Sequence, residues 1–183
     1  MDRRKRKTRQ AIFNAFTKLL SKKSYNKITV EEILELADVG RATFYAHFET
    51  KEHLLRNLCL DLFEHVLEAQ AGDEKAHAHI FDCAEQGSPF LHLLRHLQTN
   101  DNNILKLLSG ENAELFLVYF KNSVKTLIRE TPREFITKKP AVVPEDFWVN
   151  HVASTFVETA LWWIENGKNL SPETVYEYFL SVI

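Results

Sequence analysis

Glycine and proline are scarce in this chain, five of each in 183 residues. So little turn-forming material argues against an all-β fold built from tight hairpins and favours helices. Cysteine is scarcer still. Cys59 and Cys83 are neither adjacent nor spaced as Cys-x-x-Cys, so they make no disulfide framework or zinc ribbon, and a reducing compartment fits. No apolar run approaches the ~18 residues of a membrane span, and the basic amino terminus has no apolar segment behind it. The expectation is a soluble, cytoplasmic protein with no membrane partner. Also missing are a phosphate-binding glycine loop, a Gly-x-Ser-x-Gly elbow and a His-Glu-x-x-His pair, so neither an enzyme nor a bound cofactor is expected.

What the chain does contain is apolar and unevenly charged. Hydrophobic residues make up 45% and include 13 Phe, enough for a packed core. The net charge of −2 hides an asymmetry: residues 1–56 hold 13 Lys/Arg against 7 Asp/Glu, and the remainder holds 10 against 18. A basic head on an acidic body points to a polyanion held at one end.

Helical periodicity runs throughout. Residues 3–23 open with Arg3-Arg4-Lys5-Arg6-Lys7 and continue with Ile12, Phe13, Phe16, Leu19 and Leu20 at spacings of three and four. Thr29-Val30-Glu31-Glu32 is a capping box that starts a second helix, ending at Asp38. Gly40 starts a third, in which Phe44 and Phe48 share one face as core contacts. Thr50 caps a long fourth helix from Lys51 to about Ala71. Further helices are expected at 74–86, 90–98 (after Ser88-Pro89), 104–108, 111–130, 145–166 and from Ser171-Pro172 to Ile183. The fold class is all-α, with about nine or ten helices. A three-helix amino-terminal unit, residues 1–50, carries a helix-turn-helix, and a helical bundle, residues 51–183, follows.

Residues 29–48 have the layout of a positioning helix, a short turn and a recognition helix. Thr29-Val30-x-Glu32-Ile33-x3-Ala37-x-Val39-x-Arg41-Ala42-Thr43-Phe44-Tyr45-x-His47-Phe48-x2-Lys51-Glu52-x-Leu54 resembles the tetracycline-repressor (TetR) family over roughly residues 8–56. The resemblance implies a homodimer on double-stranded DNA, with Tyr45, His47, Lys51 and Thr29 at phosphates. Arg41, Ala42 and Thr43, at the start of the recognition helix, are the candidates for base edges. Arg3, Arg4 and Lys5, with the rest of the basic run to Lys7, are expected to reach DNA as a flexible arm. Family members commonly have Gly-Val-Ser where this chain has Asp38-Val39-Gly40, which puts a phosphate contact by that serine in doubt.

For the body the resemblance implies a repressor, released from a palindromic operator by an unknown small-molecule effector. The alternative is a regulator or adaptor controlled by a protein co-regulator, acting as an activator. The carboxy-terminal run Phe156–Gly167 is similar to a subgroup that includes regulators of dihydroxyacetone kinase genes. Phe63, Phe81, Phe90, Phe116, Tyr119 and Phe120 are the candidate pocket lining. Phe116, Phe120, Val152, Phe156 and Trp163 are the candidate dimer interface. His77-x-His79 and His92-x3-His96 have usable ligand spacings with Cys83 nearby, yet no carboxylate completes a distinct motif, so no metal is expected.

Overall fold

The computed structural model describes residues 3–71, 88–99, 107–108, 113–131, 135 and 138–183. Among the described residues there are eight α-helices and one 3-10 turn, Tyr25–Lys27. The helices are α1 (Arg3–Leu20), α2 (Val30–Ala37), α3 (Arg41–Tyr45), α4 (Lys51–Ala71), α5 (Pro89–Thr99), α6 (Ala113–Glu130), α7 (Glu145–Glu165) and α8 (Pro172–Ser181). The all-α expectation holds, with slightly fewer helices than nine or ten. The helix expected at 74–86 lies outside the described residues, as does most of the one at 104–108.

The boundaries follow local chemistry. Thr29 Oγ1 accepts from Glu32 N (3.3 Å) and Glu32 Oε2 accepts from Thr29 N (2.9 Å), so the capping box at α2 is complete. At its other end Asp38 takes a left-handed conformation (φ 52°, ψ 49°), and Val39 N bonds back to Leu34 O at 3.1 Å. Thr50 Oγ1 accepts from His53 N (2.9 Å) at the start of α4, and Ser171 Oγ accepts from Thr174 N (3.2 Å) at α8, where Pro172 opens the helix.

Two corrections concern the head. Arg3–Lys7 form the first turns of α1 and are no separate arm, since Arg and Lys are good helix formers and no glycine or proline interrupts them. The recognition helix stops at Tyr45, shorter than the octet 41–48 suggests. Phe48 lies just beyond it, fully buried, with its amide bonded to Phe44 O at 2.8 Å.

α4 joins the two ends of the molecule. Near its start it meets α1, where Arg9 Nη2 donates to Asn57 Oδ1 (3.2 Å); farther along it packs on α6 and α5. α6 packs on α7, and α8 closes over α5 and α7. The body core is aromatic: Phe90 lies 4.7 Å from Phe135, 5.0 Å from Phe156 and 5.7 Å from Phe179, ring to ring.

Lys23 pairs with Glu32, and this ion pair together with the bond from Thr29 N holds the Glu32 carboxyl down at about 2, against 4.5 ordinarily. A depressed carboxyl stabilises the fold fully above pH 4.5, and its contribution is lost as pH falls from 4.5 towards 2. Glu32→Gln is expected to be less stable than wild type at pH 7, and the gap should close on acidification through that window. Parallel urea titrations across pH measure it; a gap independent of pH would contradict the assignment.

Candidate nucleic-acid interface

An aromatic wedge sets the position of α3. Phe44 and Phe48 are fully buried; Phe48 meets Phe13 of α1 edge-on at 5.4 Å and Phe44 at 5.8 Å. The Arg9 guanidinium covers the cluster, 4.8 Å from the Phe13 ring and 5.4 Å from the Phe48 ring. With that face pinned, Arg41, Ala42, Thr43 and Tyr45 are all exposed on the remainder of the short helix. Tyr45 is 47% exposed, and its ring stands at 90° to Phe44, 5.4 Å away. Such a rigid mount presents the phenol hydroxyl outward at little entropic cost.

The other nominated residues are less free. Arg41 pairs with Glu31 on α2, an ion pair in which both side chains are largely exposed and which is therefore easily exchanged for another anion. Thr29 is exposed, but its hydroxyl serves the capping box. His47 is partly buried; desolvation, then the nearby Arg9 and Lys5 charges, hold its imidazole below its ordinary value, so it is neutral at pH 7. Lys5 and Arg9 therefore share one neighbourhood with His47, and a positive field surrounds the outward face of the wedge. Arg3, Arg4 and Lys5 are exposed on the first turns of α1.

Lys51 has a structural task that its sequence position did not suggest. Its Nζ donates to Ile28 O (2.7 Å) and Tyr25 O (3.0 Å) and lies 4.3 Å from the Tyr25 ring centre. Two of its three N–H donors thus satisfy carbonyls of the loop between α1 and α2. Tyr25 and the neighbouring Glu52 extend this junction towards the body, because Tyr119 of α6 donates its hydroxyl to Glu52 Oε1. Burial, then Glu52 and Tyr119, raise the Tyr25 phenol to about 12. Arg9 was not singled out from sequence, although it stands four residues before Phe13 on the same helical face.

In the body, the residues nominated from sequence are core. Phe63, Phe90, Phe116 and Phe120 are at most 4% exposed, and Phe63 meets Phe120 ring to ring at 5.3 Å. Phe63 and Phe116 both meet Phe120, while Phe90 sits in the separate aromatic cluster with Phe135, Phe156 and Phe179; Phe81 lies outside the described residues. Tyr119 does line a groove of about 230 Å³ between α4 and α6, with Arg56, Leu60, Asn122, Ser123 and Thr126. Phe116, Phe120, Val152, Phe156 and Trp163 are buried within the single chain, at 0–1% exposure, and so offer no surface to a second one. The outward aromatic side chains of α7 and α8 are Phe147, Trp162 and Tyr178.

A wedge-mounted recognition helix behind a capped positioning helix, with basic residues around it, defines a helix-turn-helix DNA-binding regulator. Residues 12–58 match the model of bacterial regulatory proteins of the tetR family, and residues 87–183 match a transcriptional regulator C-terminal region. The chain belongs to the TetR family of transcriptional regulators. It is 34% identical to a TetR transcriptional regulator from Streptococcus agalactiae 2603V, whose crystal structure superposes with a TM-score of 0.71 over 99% of this chain and 96% of that one. The dihydroxyacetone kinase operon activator DhaS shares the fold at 20% identity, with a TM-score of 0.61 over 96% of this chain and 93% of its own. Over 79 residues the chain is 35% identical to the uncharacterized HTH-type transcriptional regulator YxbF of Bacillus subtilis (strain 168). That stretch is 40% of this chain and only 21% of that protein. No helix among the described residues is long and apolar enough to cross a membrane.

Lys51→Met keeps the aliphatic stem and removes both carbonyl contacts. It should lower stability by about 1–3 kcal/mol, the scale of hydrogen bonds made by a charged donor. Denaturant unfolding without DNA measures this; an unchanged midpoint would show that the Nζ contacts are dispensable to the fold.

Proposed function

We propose that the chain is a homodimeric repressor that reads a near-palindromic operator with α3 and leaves it when an effector engages the body. The observation that carries this reading is the exposure of Arg41, Ala42, Thr43 and Tyr45 on a helix whose opposite face is locked by Phe44 and Phe48. In this reading residues 1–50 form the DNA-binding unit and residues 51–183 the effector-binding and dimerising unit, with α4 leading from one into the other.

The roles divide by chemistry. Tyr45 and His47 donate to phosphates, and the first turns of α1, with Arg3, Arg4 and Lys5, add positive charge along the backbone. At the start of α4 the phosphate contact falls to the backbone amides more than to Lys51, whose Nζ is engaged inside the head. Thr29 contributes at the edge of α2. Arg41 reads a base edge once it exchanges Glu31 for guanine, while Ala42 and the Thr43 methyl suit a thymine methyl.

A second chain is required for the two recognition helices to meet successive major grooves, ~34–36 Å apart. The support for its position is the aromatic surface of α7 and α8, where Trp162 and Tyr178 are 45% and 49% exposed with their rings 6.5 Å apart. Tyr and Trp are the residue types enriched at the centres of such interfaces. For release, the effector must bind the non-DNA conformation more tightly than the DNA-bound one.

Two substitutions separate positioning from reading. Tyr45→Phe should weaken binding to all duplexes alike and leave the salt slope unchanged, because a neutral hydroxyl displaces no counter-ion. Arg41→Ala should cost about 1–3 kcal/mol of discrimination at one base pair per half-site. Fluorescence anisotropy over a salt series with operator and scrambled DNA measures both. Unchanged affinity and preference in the two variants would sink the proposed interface.

A further inference from the structure

Three histidines from two helices converge in the body. His65 projects from α4; His92 and His96 project from successive turns of α5. All three are buried, at 7%, 4% and 3% exposure. Nε2 of His92 and Nε2 of His96 are 3.0 Å apart, and the His65 ring centre lies 5.2 Å from that of His92 and 5.1 Å from that of His96. One ring nitrogen from each of the three lies within 4.8 Å of the others.

We propose that His65, His92 and His96 bind a single first-row transition-metal dication, Zn²⁺ foremost, between α4 and α5. A tetrahedral ion with Zn–N bonds of ~2.0–2.1 Å holds its ligand atoms ~3.3 Å from one another. The His92–His96 pair already has nearly that separation, and the remaining pairs have at most about 1.5 Å to close, within reach of small side-chain rotations. The i, i+4 spacing on α5 puts two rings over one point, as the paired histidines of helical zinc sites do. His65 supplies the third ligand from a different helix, so the ion fixes α4 against α5.

The donor set selects the ion. Three imidazoles suit Zn²⁺, Co²⁺, Ni²⁺ and Cu²⁺, whereas Mg²⁺ and Ca²⁺ require oxygen. Among the described residues no thiolate enters the group: Cys59 on α4 is buried against Ser123, 3.8 Å away, and burial pushes its thiol up to about 12. Because α4 also carries the head at its other end, an ion held here bears on the helix that runs from the head into the body.

The test uses the full chain, stripped with a chelator and titrated with CoCl₂, then with ZnCl₂ as competitor, without DNA. The expected result is one Co²⁺ per chain with the ligand-field absorption of a low-coordinate nitrogen site, abolished by Zn²⁺. His92→Asn and His96→Asn should each weaken binding by more than ~100-fold, beyond the ~10–100-fold loss of an orienting partner. The combined variant His77→Asn/His79→Asn/His151→Asn should bind as wild type does. Imidazole ¹⁵N spectra of the wild-type protein need no core substitution: Zn²⁺ should shift His65, His92 and His96 together. The proposal is overturned if no Co²⁺ binds, if other histidines shift instead, or if the His77/His79/His151 variant loses the ion.

Discussion

The packing of Phe48 against Phe13 is the contact on which the head depends. It ties the end of the recognition segment to α1, and through the neighbouring Phe44 it decides which side of α3 faces outward. The Arg9 guanidinium, stacked over both Phe13 and Phe48 and bonded to Asn57, extends the same contact to α4. A helix of five residues cannot hold its own shape in water. Its rigidity comes from the wedge beneath it, and a rigid mount is what lets a few outward donors recognise DNA without a large entropic cost.

The same economy governs the junction with the body. Lys51, Tyr25, Glu52 and Tyr119 form a chain of contacts from the loop before α2, across the start of α4, to α6. α4 therefore enters the head with its first turn already fastened and leaves with its far half packed on α5 and α6. A displacement of α4 in the body has a stiff route to the recognition helix. The proposed release from DNA would use this route, which consists of the Lys51 and Tyr119 hydrogen bonds and one long helix.

Much of the head, and several helix starts of the body, were legible in the sequence, because those signals are local. The Thr29/Glu32 box, the Thr50 and Ser171 caps, the Ser88-Pro89 start and the Phe44/Phe48 pair each act within four residues, and each reappears in the structure. What sequence hid was long-range. Arg41 pairs with a glutamate ten positions earlier, and Lys51 spends its charge on carbonyls 23 and 26 positions away. Apolar helices of the body could not be assigned an inside and an outside from periodicity alone. Phe116, Phe120, Val152, Phe156 and Trp163 read equally well as interface or core, and packing put them in the core. His92 and His96 were visible as a pair, but the third imidazole belongs to another helix and could be added only by the fold.

In the proposed function, two copies of α3, held by one dimer, read two half-sites. Selection of bound duplexes from a random pool by the wild-type protein, followed by hydroxyl-radical footprinting of the enriched sequence, tests it most directly. An inverted repeat with half-site centres about one helical turn, ~34–36 Å, apart and two chains per duplex is expected. Enrichment of no sequence, or a lone half-site held by one chain, would contradict it.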